Sequence, residues 1–177
     1  MKYINVMVAT LLALAAHSAA SAPTEGMVPP RLKAPPGQAL ALEARASGVQ
    51  IYTCAPRPDD PARYEWRFKA PEADLYDAAG AKIGRHYAGP TWEAADGSLV
   101  VGELMAHDRG PDPRAIPWLL LGAKSHAGSG LLSDTSSIQR LYTTGGQAPG
   151  SGCDRAGAGR ESRVPYTATY YFYAARG

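Results

Sequence analysis

Cysteine and phenylalanine are scarce in this 177-residue chain, with two residues of each. Charge of one sign is scarce too: 18 basic residues against 16 acidic ones leave a net charge of +2, with no run of five like charges. A dedicated nucleic-acid binder carries a basic stripe, so nucleic acid is not expected as a partner. Beyond residue 22 no apolar run reaches the 18 or more residues of a spanning helix, and no membrane span is expected. Strong amphipathic periodicity of the helical kind is missing as well. What is abundant is punctuation, with 19 glycines and 15 prolines. That is short of a low-complexity chain, and a 45% hydrophobic content is ordinary for a globular one.

Residues 1–22 read as a secretory signal peptide. Lys2 supplies a positive start, residues 6–16 a predominantly apolar segment, and Ser18, Ala19, Ala20, Ser21 and Ala22 a run of small residues, with cleavage best placed after Ala20. The apolar segment is too short for a membrane anchor, and no Cys lies near the cut to make a lipoprotein. The expected location is secreted or periplasmic. In such an oxidising compartment Cys54 and Cys153 are expected to form one disulfide. Closing a loop of about 100 residues contributes about 4–5 kcal/mol in the chain-entropy model. A thiol nucleophile would instead need a reduced Cys beside an activating His.

Residues 23–38 hold Pro23, Pro29, Pro30, Pro35 and Pro36, which exclude a helix and favour an extended lead-in to a body over residues 39–175. That body alternates with period two. In Tyr64-Glu65-Trp66-Arg67-Phe68-Lys69 the aromatics share one face, so Trp66 and Phe68 are expected to turn inward. Val164, Tyr166, Ala168, Tyr170 and Phe172 share another face of a Tyr- and Thr-rich strand. Residues 40–44, 49–54, 99–106 and 138–143 read as further strands, while the apolar run 117–122 fits a strand or a short helix. Asp96-Gly97 signals a hairpin. Many short strands with frequent turns predict an all-β, single-domain antiparallel β-sandwich or barrel with short connecting turns and one disulfide.

Three strings carry a family pattern: 48–54 (GVQIYTC), 86–98 (HYAGPTWEAADGS) and 138–149 (IQRLYTTGGQAP). With Cys153-Asp154 and 164–173 (VPYTATYYFY), they resemble the secreted family catalogued as domain of unknown function 3455, found in bacteria and fungi. The resemblance spans about residues 39–173. It implies export and a single domain, and it supplies no catalytic residues.

The segment around Gly89-Pro90 concentrates chemistry-bearing side chains. If Gly89-Pro90 bends one strand, His86, Glu93 and Asp96 meet in a cleft as base, acid and orienter, with Trp92 beside them. The structural alternative makes Trp92 core and leaves Glu93 and Asp96 to cap a hairpin. His86, His107 and His126 match no compact metal signature, and no metal or cofactor is expected. No Gly-x-Ser-x-Gly elbow marks a serine nucleophile. Arg140 before Gly145-Gly146 suggests an anion cradle, against a hairpin glycine pair as the alternative. Tyr166, Tyr170, Tyr171 and Tyr173 suggest an aromatic face for sugar rings or polymer surfaces, against tyrosines that simply favour a sheet as the alternative. The ligand-binding candidates are Trp92, Tyr87 and Arg140. The reading is a monomeric, non-catalytic exported module binding a polymer, sugar or small molecule through an aromatic face or barrel mouth. The alternative is a small secreted hydrolase or isomerase using His86, Glu93 and Asp96. Exported protein should begin near Ser21, with an intact mass two hydrogens below that of the reduced chain. Two titratable thiols would contradict this.

Overall fold

The computed structural model describes residues 22–24 and 26–176. The expected signal peptide, Ala22 apart, lies outside the described residues. Eight strands follow in order: β1 (Gln38–Pro56), β2 (Tyr64–Tyr76), β3 (Lys82–Tyr87), β4 (Thr91–Ala94), β5 (Leu99–Asp108), β6 (Trp118–Ala127), β7 (Thr135–Gly145) and β8 (Glu161–Ala175). Each pairs antiparallel with the next, and β8 returns to β1, so the sheet closes as an up-and-down barrel. Of sandwich and barrel, the chain is a barrel. The ambiguous run 117–122 enters β6, and the strands expected at 40–44 and 49–54 are one long β1, bulged between Leu40 and Leu42 and between Ile51 and Tyr52.

The interior is filled by unequal contributions. From β8, Tyr166, Ala168, Tyr170 and Phe172 all point inward, as period two requires. Facing Tyr166, Ala168 and Tyr170 across the ladder are Gly48, Ala46 and Ala44 of β1. Large side chains on one wall thus lean over small ones on the next. A Cβ at Gly48 would lie 2.1 Å from the Glu72 carbonyl oxygen, so glycine is what lets β1 and β2 approach there.

One end of the barrel is plugged. Leu132, in the β6–β7 connection, joins the interior core. Its N–H donates to Ser98 Oγ at 3.1 Å, and Asp96 accepts from Leu131 N–H at 2.7 Å. The Asp96-Gly97 turn is the expected β4–β5 hairpin, closed by Ala94 N–H on the Ser98 carbonyl.

A second core lies on the barrel's outer face. Val28 and Leu32 pack there on Trp118, Leu120, Leu141 and Tyr171. Gln139 Nε2 donates to the Leu32 carbonyl at 2.5 Å, and Tyr173 OH donates to Gln139 Oε1 at 2.8 Å. Two expectations are corrected here. The proline-rich lead-in forms a strap with a short 3₁₀ turn at Pro30–Leu32, because one such turn tolerates Pro in its first positions. Tyr171 is buried beneath that strap and Tyr173 half-buried, so neither belongs to an exposed aromatic face.

The face assigned to β2 is corrected as well. β3 pairs only with residues from Ala73 to Tyr76, so the first half of β2 has β1 as its sole neighbour and runs outside the core. Trp66 is half-buried, donating to the Ser151 carbonyl, and Phe68 is 57% exposed. The Cys54–Cys153 disulfide ties the loop before β8 to this hairpin end. Leu32→Ala should therefore cost about 2–4 kcal/mol in denaturant unfolding, and Phe68→Ala less than about 1 kcal/mol. The reverse order would restore the inward reading of Phe68.

Candidate functional site

Strand β3 ends at Tyr87, and the chain reverses within residues 88–90 before β4 begins at Thr91. Gly89 takes a φ of 131°, where a side chain is strained. Thr91 Oγ1 donates to the Ala88 carbonyl at 2.9 Å and locks the turn. Gly89-Pro90 therefore makes a hairpin and not a bend in one strand. The pairing sets His86 opposite Trp92 inside the barrel and Arg85 opposite Glu93 outside it.

Inside, the rings of His86 and Trp92 stack with centroids 4.4 Å apart and planes at 14°. Tyr170 meets both edge-on, at 5.2 and 5.4 Å. His86 Nδ1 is 2.8 Å from the Thr91 carbonyl oxygen, so the ring donates from Nδ1 and leaves Nε2 as an acceptor. Burial drives the His86 pKa down to about 3, the Thr91 carbonyl opposing and the Arg140 charge reinforcing the shift. The imidazole is neutral at physiological pH.

Outside, Glu93 accepts from Tyr87 OH at 2.7 Å and from Arg85 Nη2 at 2.9 Å. Those bonds, Tyr87's first, hold its carboxyl below the usual range. Asp96 sits at the plugged end, bound to Ser98 and Leu131. The expected His86, Glu93 and Asp96 cluster is not assembled: one faces in, one faces out, and one closes the far end. Tyr87 shares the outer face with Glu93, away from Trp92. Gly146 spends its N–H on the Pro165 carbonyl, so the glycine pair is a strand irregularity and no anion cradle. His126 Nε2 bonds the Thr135 carbonyl at 2.7 Å. Among the described residues no group of three or more His, Cys, Asp or Glu side chains is placed to hold a metal.

The other end of the barrel holds a cavity of about 370 Å³, and every strand contributes to its wall. Gln50, Pro71, His86, Trp92, Leu104, Leu121, Arg140 and Tyr170 represent β1 to β8 in turn, with Leu119 beside them and Phe68 on the rim. Arg140 lies between Leu119 and Tyr170 in the ladder. Its Nε and Nη2 donate to the Pro117 carbonyl at 3.1 and 2.8 Å. No carboxylate of the described residues pairs with it, whereas Arg85 pairs with Glu93 on the outer face. Four buried polar atoms lack a hydrogen-bond partner among the described residues: Gln50 Nε2, Trp92 Nε1, Tyr166 OH and Tyr170 OH. Burial raises the pKa of Tyr170, and Arg140 pulls against it.

Residues 35–174 match the family described as "Protein of unknown function (DUF3455)". The chain belongs to that family. It matches no curated protein and no solved structure. In this DUF3455 barrel, Trp92, Arg140 and His86 of the sequence candidates meet around one cavity. Gln50 was missed, although Ala44, Ala46, Gly48 and Gln50 continue one inward series and an amide closing an apolar row is its signal.

The neutral His86 carries a pH dependence. An unfolded His titrates near 6.5 and the folded one near 3, so its contribution is complete above pH 6.5 and is lost as the pH falls toward 3. Stability should drop by about 2 kcal/mol between pH 6.5 and 5, above the range of the carboxylates. Denaturant unfolding at those two pH values should show this drop in the wild type and a smaller one in His86→Gln. Equal slopes would place the buried imidazole outside this account.

Proposed function

We propose that the open end of the barrel is a small-molecule site, and that the protein is an exported, non-catalytic binding module. The observation that carries the reading is the cavity itself, walled by all eight strands and set with unpartnered polar atoms in an apolar cup. Small barrels hold single ligands in this way, and a few polar groups in an apolar pocket fix orientation. Its volume, about 370 Å³, is at the lower end of the range for small-ligand pockets.

Catalysis has less support. The cavity is lined by no Asp, Glu, Ser, Thr or Cys side chain among the described residues, and His86 has no carboxylate to orient it or share a proton. Binding of a flat polymer has less support too, because Tyr166, Tyr170 and Tyr171 are buried. No described helix is long and apolar enough to cross a membrane. The outer face carries the ion pairs Arg163–Glu72, Lys82–Asp74 and Arg85–Glu93, where a membrane barrel would be apolar. The disulfide suits an oxidising compartment.

A fragment screen by protein NMR tests the reading. Bound fragments should shift the Trp92 indole N–H signal, and Leu119→Trp, which fills the cup, should abolish those shifts while keeping the spectrum folded. Fragments that bind the filled variant unchanged, or a screen with no response at Trp92, would overturn it.

A further inference from the structure

Resting on the barrel mouth as a ligand site, we propose that its ligand is a small monocarboxylate with an apolar body, the carboxylate seated on Arg140 and Tyr170. The inner wall is built from donor-bearing residues, with His86 Nε2 as an acceptor among them. Arg140 has used Nε and Nη2 on a single carbonyl, and its guanidinium also lies against the Tyr170 hydroxyl. Tyr170 OH, Gln50 Nε2 and Trp92 Nε1 are buried without partners on residues that line the same cavity. Behind them the Tyr166 hydroxyl lies against Tyr170 and Gln50.

Donors gathered around an unpaired guanidinium call for acceptor oxygens and a negative charge. Arg140 is half-buried, and turned into the barrel it has no carboxylate among the described lining residues beside it. The charge count favours one negative charge over two. Lys69 also lines the cavity, but Glu161 holds its Nζ at 2.5 Å, so Arg140 is the cation without an acidic partner among the described lining residues. The cavity offers no glycine-rich nest of free N–H groups of the kind that takes phosphate. The remaining wall is apolar: Phe68, Pro71, Pro90, Leu104 and Leu119 stand around the opening, and Phe68 and Leu104 are 57% and 59% exposed. They suit an aromatic or short aliphatic body.

Three probes with one body separate the terms: 3-phenylpropanoate, 3-phenylpropanamide and 3-phenylpropylamine, titrated calorimetrically and followed at the Trp92 indole signal. The acid should bind at least tenfold tighter than the amide, and the amine should not bind. Arg140→Ala and Arg140→Met should each weaken the acid at least tenfold and leave the amide unchanged, with Arg140→Lys in between and Tyr170→Phe losing less. Melting temperatures identify any variant that is unfolded, and the conservative Lys and Met variants keep the test intact if Ala fails. An amide that binds as tightly as the acid, or acid binding indifferent to Arg140, overturns the proposal. So does the failure of all three probes in a protein that still binds neutral fragments at Trp92, and in that case the ligand site itself survives. Silence at Trp92 toward probes and fragments alike removes both.

Discussion

Closure of the sheet by β1 against β8, from Gln38 opposite Ala175 to Thr53 opposite Glu161, joins the two ends of the folded chain over the height of the barrel. Every other ladder runs between strands adjacent in sequence. This pairing is the one that requires a long loop to close, and its entropy must be met before its contacts form. The Cys54–Cys153 bridge, spanning 99 residues, sits at the end of the same ladder, one residue beyond Thr53. It restricts the unfolded chain at the contact that is hardest to make. Strap and disulfide then act on opposite ends of β1. Arg176 N–H bonds the Gly37 carbonyl at one end, and Arg160 and Gly159 pair with Cys54 at the other.

Closure also dictates how the barrel is filled. A closed eight-stranded sheet has room for side chains and at most one small ligand, so the bulk of Trp92, Tyr166, Tyr170 and Phe172 has to be matched by alanine and glycine on β1, β2 and β3. The match is complete toward the plugged end, where Leu132 and Ile138 are fully buried. Toward the other end the wall changes character: β2 has no β3 neighbour before Ala73, and β1 bulges at Ile51/Tyr52. The cavity lies at that end, between these incompletely paired strands and the His86, Trp92 and Tyr170 rings that line it. Position and emptiness of the site thus follow from where the ladders end.

Much of the fold was legible because period two survives in single strands. The inward row of β8, the Asp96-Gly97 hairpin and the one disulfide needed only local pattern and compartment. The strap was not legible, since Val28 and Leu32 are isolated apolar residues in a proline-rich stretch and their burial depends on an outer face supplied by β6 to β8. The site was half legible. Trp92, His86 and Arg140 stood out as residue types, but their grouping depended on whether Gly89-Pro90 bends one strand or reverses the chain. With one strand, the odd separation of His86 and Glu93 needs a bend to bring them together. With a hairpin, the pairing partner of His86 is Trp92, and Glu93 falls to the outer face beside Arg85. One turn decides which residues meet, and the dipeptide is compatible with both.

The cavity's size bears on its state. A cavity of about 370 Å³ that opens at the barrel mouth is reached by solvent, unlike the enclosed voids whose empty volume costs stability. Water therefore has access to the space when no ligand is in it, and the donors of Gln50, Trp92 and Tyr170 lie just beneath its wall. Any ligand has to displace that water, and it gains only if its own oxygens replace the bonds lost at the inner wall. At the rim the balance reverses, because water against Phe68, Leu104 and Pro90 is released at a gain by any apolar group. A ligand with acceptors at one end and hydrocarbon at the other satisfies both conditions at once, and a molecule polar throughout or apolar throughout satisfies only one.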